Sequence, residues 1–159
     1  MKLASGVAPV PDMLGLGITV GLGTDGAASN NDLNLWGEMR TAAMCHKLAR
    51  LDPTAMNARD VVKTATCQAA QAVGRPDLGS IERGKTADVI MVDLRQPQFV
   101  PLYNIYSHLV YAASGAEVDT AVVNGRLVMQ GRCVLTVDEG EILDRAARIG
   151  KAVRDEVYT

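Results

Sequence analysis

The chain has 159 residues, 48% hydrophobic and 21% charged, which suits a soluble globular domain and argues against disorder or a coiled coil. Sixteen basic and eighteen acidic residues leave a formal net charge of −2 with no basic run. That balance argues against a nucleic-acid partner, which draws on clustered Lys and Arg, and the 4% aromatic content offers no stacking platform. No apolar run reaches the length of a membrane span. Cys45, Cys67 and Cys133 are too widely spaced for a knuckle or a disulfide framework, so reduced thiols in a cytoplasmic protein are expected.

At the N-terminus, Pro9, Pro11 and Asp12 interrupt the apolar stretch too early for a signal peptide, so the segment reads as mature folded sequence. Ile18 to Gly23 is a short apolar run that predicts a buried strand, opening at Thr24-Asp25-Gly26 into a polar loop over 27–32. A helix is expected from Leu33 to Leu51, with Trp36, Met39, Ala43, His46 and Arg50 on one stripe and Asn31 or Asp32 as its cap. A second helix is expected from Arg59 to Val73, with Val62, Ala65, Ala69 and Val73 in line and Gly74 as its stop.

Beyond it, Leu78 to Glu82 and Ala87 to Leu94 read as two strands about a turn at Arg83-Gly84-Lys85, the second buried on both faces. A connection over 96–106 leads to a hairpin, Ala121 to Val123 and Arg126 to Met129, about Asn124-Gly125. A final amphipathic helix presents Ile142, Ala146, Ile149 and Val153, with Thr136 and Glu139 matching a capping box. The order divides the chain into a βα portion of a larger sheet with its following helices (1–77), a β-layer segment (78–135) and a C-terminal helix (136–159). Neither of the first two looks self-sufficient.

Asp25 is the foremost candidate for chemistry. It lies at the C-terminal end of an expected buried strand, where catalytic side chains of parallel α/β barrels emerge. A carboxylate there can ligate a metal and accept a proton from water, yet Asp-Gly is also a common turn former. Ser29 and Asn30, in the loop after it, are candidate substrate-binding residues. His46 and His108 are isolated, with no His-x-His or His-Glu-x-x-His, and read as structural imidazoles. No Ser or Cys has a neighbouring base, and Gly21, Gly23 and Gly26 do not make a dinucleotide fingerprint.

Lys2-Leu3-Ala4-Ser5-Gly6-Val7-Ala8-Pro9 and Gly21-Leu22-Gly23-Thr24-Asp25-Gly26-Ala27-Ala28-Ser29-Asn30-Asn31 resemble the last barrel strand of the amidohydrolase superfamily. Within it, the resemblance is to the 5'-methylthioadenosine/S-adenosylhomocysteine deaminases and their chlorohydrolase-like relatives. Ala65-Thr66, Gly74 and Gly79 to Asp88 are similar to the segment where such enzymes leave the barrel for a β-sandwich. Ser107 to Ala112 and the Asn124-Gly125 hairpin fit the same family.

The resemblance implies an α/β fold in which this chain is the C-terminal part of a metal-dependent (β/α)8 hydrolase barrel. Part of a small β-sandwich and a terminal helix complete the chain. It implies a divalent metal, zinc by family habit, with Asp25 as ligand and proton shuttle in deamination of an adenine-type nucleoside. A complete barrel takes about 250 residues, and a catalytic zinc usually has three protein ligands, whereas one candidate ligand is present here. Met1 is compatible with an internal position of the family pattern. The expectation is therefore a truncated or split enzyme, inactive alone, whose partners are a small-molecule substrate and the missing N-terminal portion or a second copy. A non-catalytic assembly module, or another C–N or C–Cl hydrolase of the superfamily, are the alternatives.

Overall fold

The computed structural model describes residues 3–157. Met1 and Lys2, which the family pattern includes, lie outside them. A short helix α1 (Val10–Gly15) comes first, where the sequence pattern suggested none. Pro11 sits in its first turn, where a missing N–H costs nothing, so proline starts this helix instead of breaking it.

The expected strand at 18–23 has no strand partner among the described residues and runs as extended chain. Its side chains are exposed or half-buried, not buried. A strand needs a neighbour to satisfy its ladder and cover its faces, and sequence pattern cannot supply one. Its amides reach the remainder at Ile18, donating to the Met13 carbonyl at 2.9 Å, and at Leu22, donating to the Thr64 carbonyl at 2.8 Å.

One turn of helix, α2 (Ala27–Asn30), occupies the predicted loop. Helix α3 (Leu35–Arg50) starts later than expected, because Asn34 caps it, accepting from the Trp36 and Gly37 amides. Asp32 instead accepts from the Asn34 amide, one step before the cap. The predicted stripe holds in its centre: Met39, Ala43 and His46 are buried, while Arg50 is exposed and paired with Asp12.

The second long helix is broken into α4 (Ala58–Ala65) and α5 (Cys67–Ala72) at Thr66, whose backbone leaves helical space. Thr64 and Thr66 bond back to the Val61 and Val62 carbonyls at 2.7 Å, a habit that bends helices. In an unbroken helix the Thr64 carbonyl would accept from residue 68; here it receives Leu22. The buried face is Val61, Thr64 and Ala70, so Val73 is exposed instead of in line. Gly74 ends α5 as expected, with Arg75 N–H reaching the Ala70 carbonyl and Gly74 N–H that of Gln71.

Residues 78–82 form a loop, not a strand. Asp77 ties it down, accepting from the Thr86 amide and hydroxyl and pairing with Arg75. Gly79 lies against the helix break at φ +82, and a Cβ there would meet Cys67 Cα at 2.6 Å and the Thr66 carbonyl at 2.8 Å. Gly79→Ala combines a left-handed backbone with a backbone clash, so a loss of about 2 kcal/mol is expected in urea unfolding. A loss under about 0.5 kcal/mol would show that this junction yields freely.

The sheet is an antiparallel meander of β1 (Val89–Val92), β2 (Val118–Val123), β3 (Arg126–Gln130) and β4 (Cys133–Val134), in that order. The Asn124-Gly125 turn forms as predicted, both residues at positive φ. Asp88 anchors it by accepting from the Asn124 amide at 2.6 Å. The β1 strand is not buried on both faces: Ile90 is 52% and Met91 57% exposed, and as consecutive strand residues they point to opposite faces, so the described residues cover neither face fully.

Helix α6 (Ile105–Tyr111) begins at the end of the predicted connection, where no helix is expected, capped by Asn104 accepting from the Ser107 amide. Its seven residues are too few to display a period. Helix α7 (Glu139–Val157) closes the chain. Its cap is Asp138, which accepts from the Glu141 amide, in place of the Thr136–Glu139 box. The expected apolar face, Ile142, Ile149 and Val153, is exposed. No described helix is long and apolar enough to cross a membrane. The core is small: Met39, Ala43, Met56, Val61 and Val110 join α3, α4 and α6, with Leu14 and Leu22 laid against them.

Candidate functional site

The extended segment 18–24 delivers Asp25 to the point where the chain turns into α2. Asp25 takes φ +60, a left-handed conformation that Asp tolerates better than most residues but that still carries strain. Its carboxylate is held from both sides: Oδ1 accepts from the Gly26 amide at 2.7 Å and Oδ2 from the Ser29 hydroxyl at 2.8 Å. The Ser29 bond first, and the Gly26 amide second, hold the carboxyl below its ordinary range. Asp25 is thus a fixed, ionised, solvent-facing carboxylate at neutral pH.

Asn30 stands behind it. Its amide nitrogen donates to the Thr24 carbonyl at 3.0 Å and to Glu38 Oε1 at 2.6 Å, so both amide protons are committed and Oδ1 is the atom left to accept from a ligand. Ser29 has one hydroxyl proton, shared between Asp25 and the Gly26 carbonyl at 2.9 Å. Asp25, Ser29, Asn30, Thr24, Glu38 and Ser5 line a cleft of about 210 Å³. Small-molecule pockets typically start near 300 Å³, so this cleft by itself is smaller than most. Glu38 was not singled out in the sequence, where it is one acid in the first turn of a helix. Only folding brings it to Asn30.

The histidines stand apart from this cleft. His46 is buried on the inner face of α3, and burial first, then Arg50, lowers its pKa. His108 Nδ1 bonds the Asn104 carbonyl at 2.9 Å and the ring lies 6.1 Å from Phe99. His46 thus packs in the core and His108 makes a local backbone bond. Among the described residues, no group of three or more His, Cys, Asp or Glu is placed to hold a metal ion. Asp25 fits a metal as a single ligand, with lone pairs left on both oxygens, and the described residues do not complete a site.

Comparison with known proteins gives this cleft a context. The model of the amidohydrolase family matches residues 1–128. A 5-methylthioadenosine/S-adenosylhomocysteine deaminase of Syntrophobacter fumaroxidans is 51% identical over 155 residues, covering 97% of this chain and 35% of that protein. A 5'-deoxyadenosine deaminase of Methanosarcina mazei is 47% identical over 93% of this chain and 34% of its own length. Among solved structures, a zinc-bound adenosine deaminase from Xanthomonas campestris superposes with a TM-score of 0.93 at 36% identity, over 97% of this chain and 35% of that one. A zinc-bound atrazine chlorohydrolase from Arthrobacter aurescens gives 0.84 at 32%, over 90% of this chain and 32% of its own. The chain therefore spans about a third of the length of the relatives it matches. Matched by the family model over most of its length and sharing its backbone course with zinc-bound members, the chain belongs to the amidohydrolase family.

Proposed function

We propose that this chain forms the C-terminal part of a metal-dependent amidohydrolase that deaminates an adenine-type nucleoside, of the methylthioadenosine or adenosylhomocysteine kind. The observation that carries the reading is Asp25, an ionised carboxylate presented to a cleft by Gly26 and Ser29. Relatives named as adenosine-type deaminases, 47–51% identical, support the substrate class. On this reading residues 1–77 belong to the end of a (β/α)8 barrel, 78–135 to a β-sandwich and 136–159 to a closing helix. The whole works in the cytoplasm, where its free thiols stay reduced.

Zinc, when bound, would lower the pKa of a water so that hydroxide is available near neutral pH. Asp25 would be one of its ligands. The Asp25 carboxylate takes one proton of the attacking water and returns it to the departing amine; the oxygen adds at the amino-bearing ring carbon, the water's other proton ends on the adjacent ring nitrogen of the keto product, and the amine leaves as ammonia. Ser29 holds that carboxylate in place, and Asn30 Oδ1 is positioned to accept from the substrate. The remaining ligands and most of the substrate pocket are supplied by polypeptide other than these residues, so the chain alone is inactive.

The test is a chimera in which this chain replaces the corresponding C-terminal third of the Syntrophobacter relative. Ammonia release from 5'-methylthioadenosine with added zinc is expected from the chimera and not from the chain alone. A folded, zinc-loaded chimera without turnover would overturn the deaminase reading, and turnover by the isolated chain would overturn its inactivity. The exposed apolar side of α7 and the uncovered Ile90 and Met91 favour a second reading, a non-catalytic assembly module that pairs with a second copy. An inert chimera together with a self-associating chain would support it.

A further inference from the structure

The local bonds around Asp25 move with the loop that carries it. Gly26 and Ser29 are its own neighbours, and neither ties it to the scaffold. Among the described hydrogen bonds of residues 24–30, the one that leaves the loop runs from Asn30 Nδ2 to Glu38 Oε1, at 2.6 Å. At that length it is a short, well-formed hydrogen bond. Glu38 stands on α3 beside Met39, which is buried in the core, so this end of the link is rigid. The other proton of the same nitrogen goes to the carbonyl of Thr24, the residue before Asp25. A non-glycine residue at φ +60 keeps that conformation only where its surroundings enforce it.

We infer that Glu38 is a positioning residue: through Asn30 it clamps both ends of the 24–30 loop to α3 and so holds the Asp25 carboxylate facing the cleft. The inference rests on the reading of Asp25 as the working carboxylate. It concerns an acceptor oxygen at residue 38, more than its charge. Glutamine at that position can still present a carbonyl oxygen to Asn30; alanine cannot.

Amide hydrogen exchange on the full chain reads the loop without any assay of turnover. Glu38→Ala is expected to speed exchange at the Ser29, Asn30 and Asn31 amides about tenfold or more, with the Val61 amide of α4 unchanged. Glu38→Gln is expected to stay within about threefold of the parent. In the chimera, Glu38→Ala should lower kcat on the order of 10²-fold, as a misplaced reacting group does, and Glu38→Gln should restore most of it. Unchanged loop exchange in Glu38→Ala, or a Glu38→Gln variant as loose as Glu38→Ala, would overturn the clamp. If Glu38→Ala fails to fold, Asn30→Ala cuts the same bond from the loop side and carries the same expectation. Loosened exchange in a chimera that never turns over would leave the clamp standing and remove the deaminase reading.

Discussion

Replacing Glu117 by alanine is expected to cost about 3 kcal/mol of stability at pH 7, measured by urea unfolding. Glu117 is 5% exposed, at the start of β2. Its Oε2 accepts from the Ser114 and Gly115 amides, both at 3.0 Å, and its Oε1 from the Gln98 side chain at 2.6 Å. Burial pushes its pKa up, but these bonds, with the Ser114 amide foremost, outweigh it and bring the pKa down to about 2 from an ordinary 4.5. The loop it shapes is the one onto which α3 docks, through Arg40 to the Ala113 carbonyl and Asn34 to that of Ser114, each at 3.1 Å. Alanine there removes the acceptor of the Ser114 and Gly115 amides and loosens the seat of the helix that carries Glu38.

The sign of the pH effect follows from the direction of that shift. A carboxyl whose folded pKa lies below its unfolded value stabilises fully above the unfolded value, near 4.5, and loses the contribution as pH falls through the folded value, near 2. The gap in stability between the parent chain and Glu117→Gln should therefore be steady from pH 7 to 6 and fall to less than half by about pH 3. A gap that stays constant over that range would show that the charge of Glu117 contributes nothing.

What the sequence made legible was whatever a short window can encode. The Asn124-Gly125 turn, the Gly74 stop and the Met39, Ala43 and His46 stripe of α3 formed as read, since each depends on local backbone preference or on one helix face. Elements that depend on a neighbour are not encoded in a short window. The run from Ile18 to Gly23 has the composition of a buried strand, but pairing is a property of two segments, and none of the described residues offers the second. The break at Thr66 was hidden because the helical period continues across it, while the threonine back-bonds and the approach of Gly79 that accompany it are tertiary. At the site, Asp25 was visible from its motif, and Ser29 and Asn30 from their place in the loop. Glu38 was not, because it lies eight positions beyond Asn30 and no pattern joins them.

Asp25→Asn is expected to lower turnover of the chimera by about 10²–10⁴-fold while leaving its stability within about 0.5 kcal/mol. The two effects separate because the asparagine amide fits the same cradle. Its oxygen can accept from the Gly26 amide as Oδ1 does now, at 2.7 Å. Its nitrogen would face Ser29, whose hydroxyl can turn its proton to the Gly26 carbonyl, 2.9 Å away, and accept instead of donate. Asparagine also tolerates the left-handed backbone of this position better than most residues. The substitution therefore removes the negative charge and the proton acceptor and little else. Retention of more than about a tenth of the parent turnover, with the melt unchanged, would show that a neutral amide suffices here and that the proton is carried by another group.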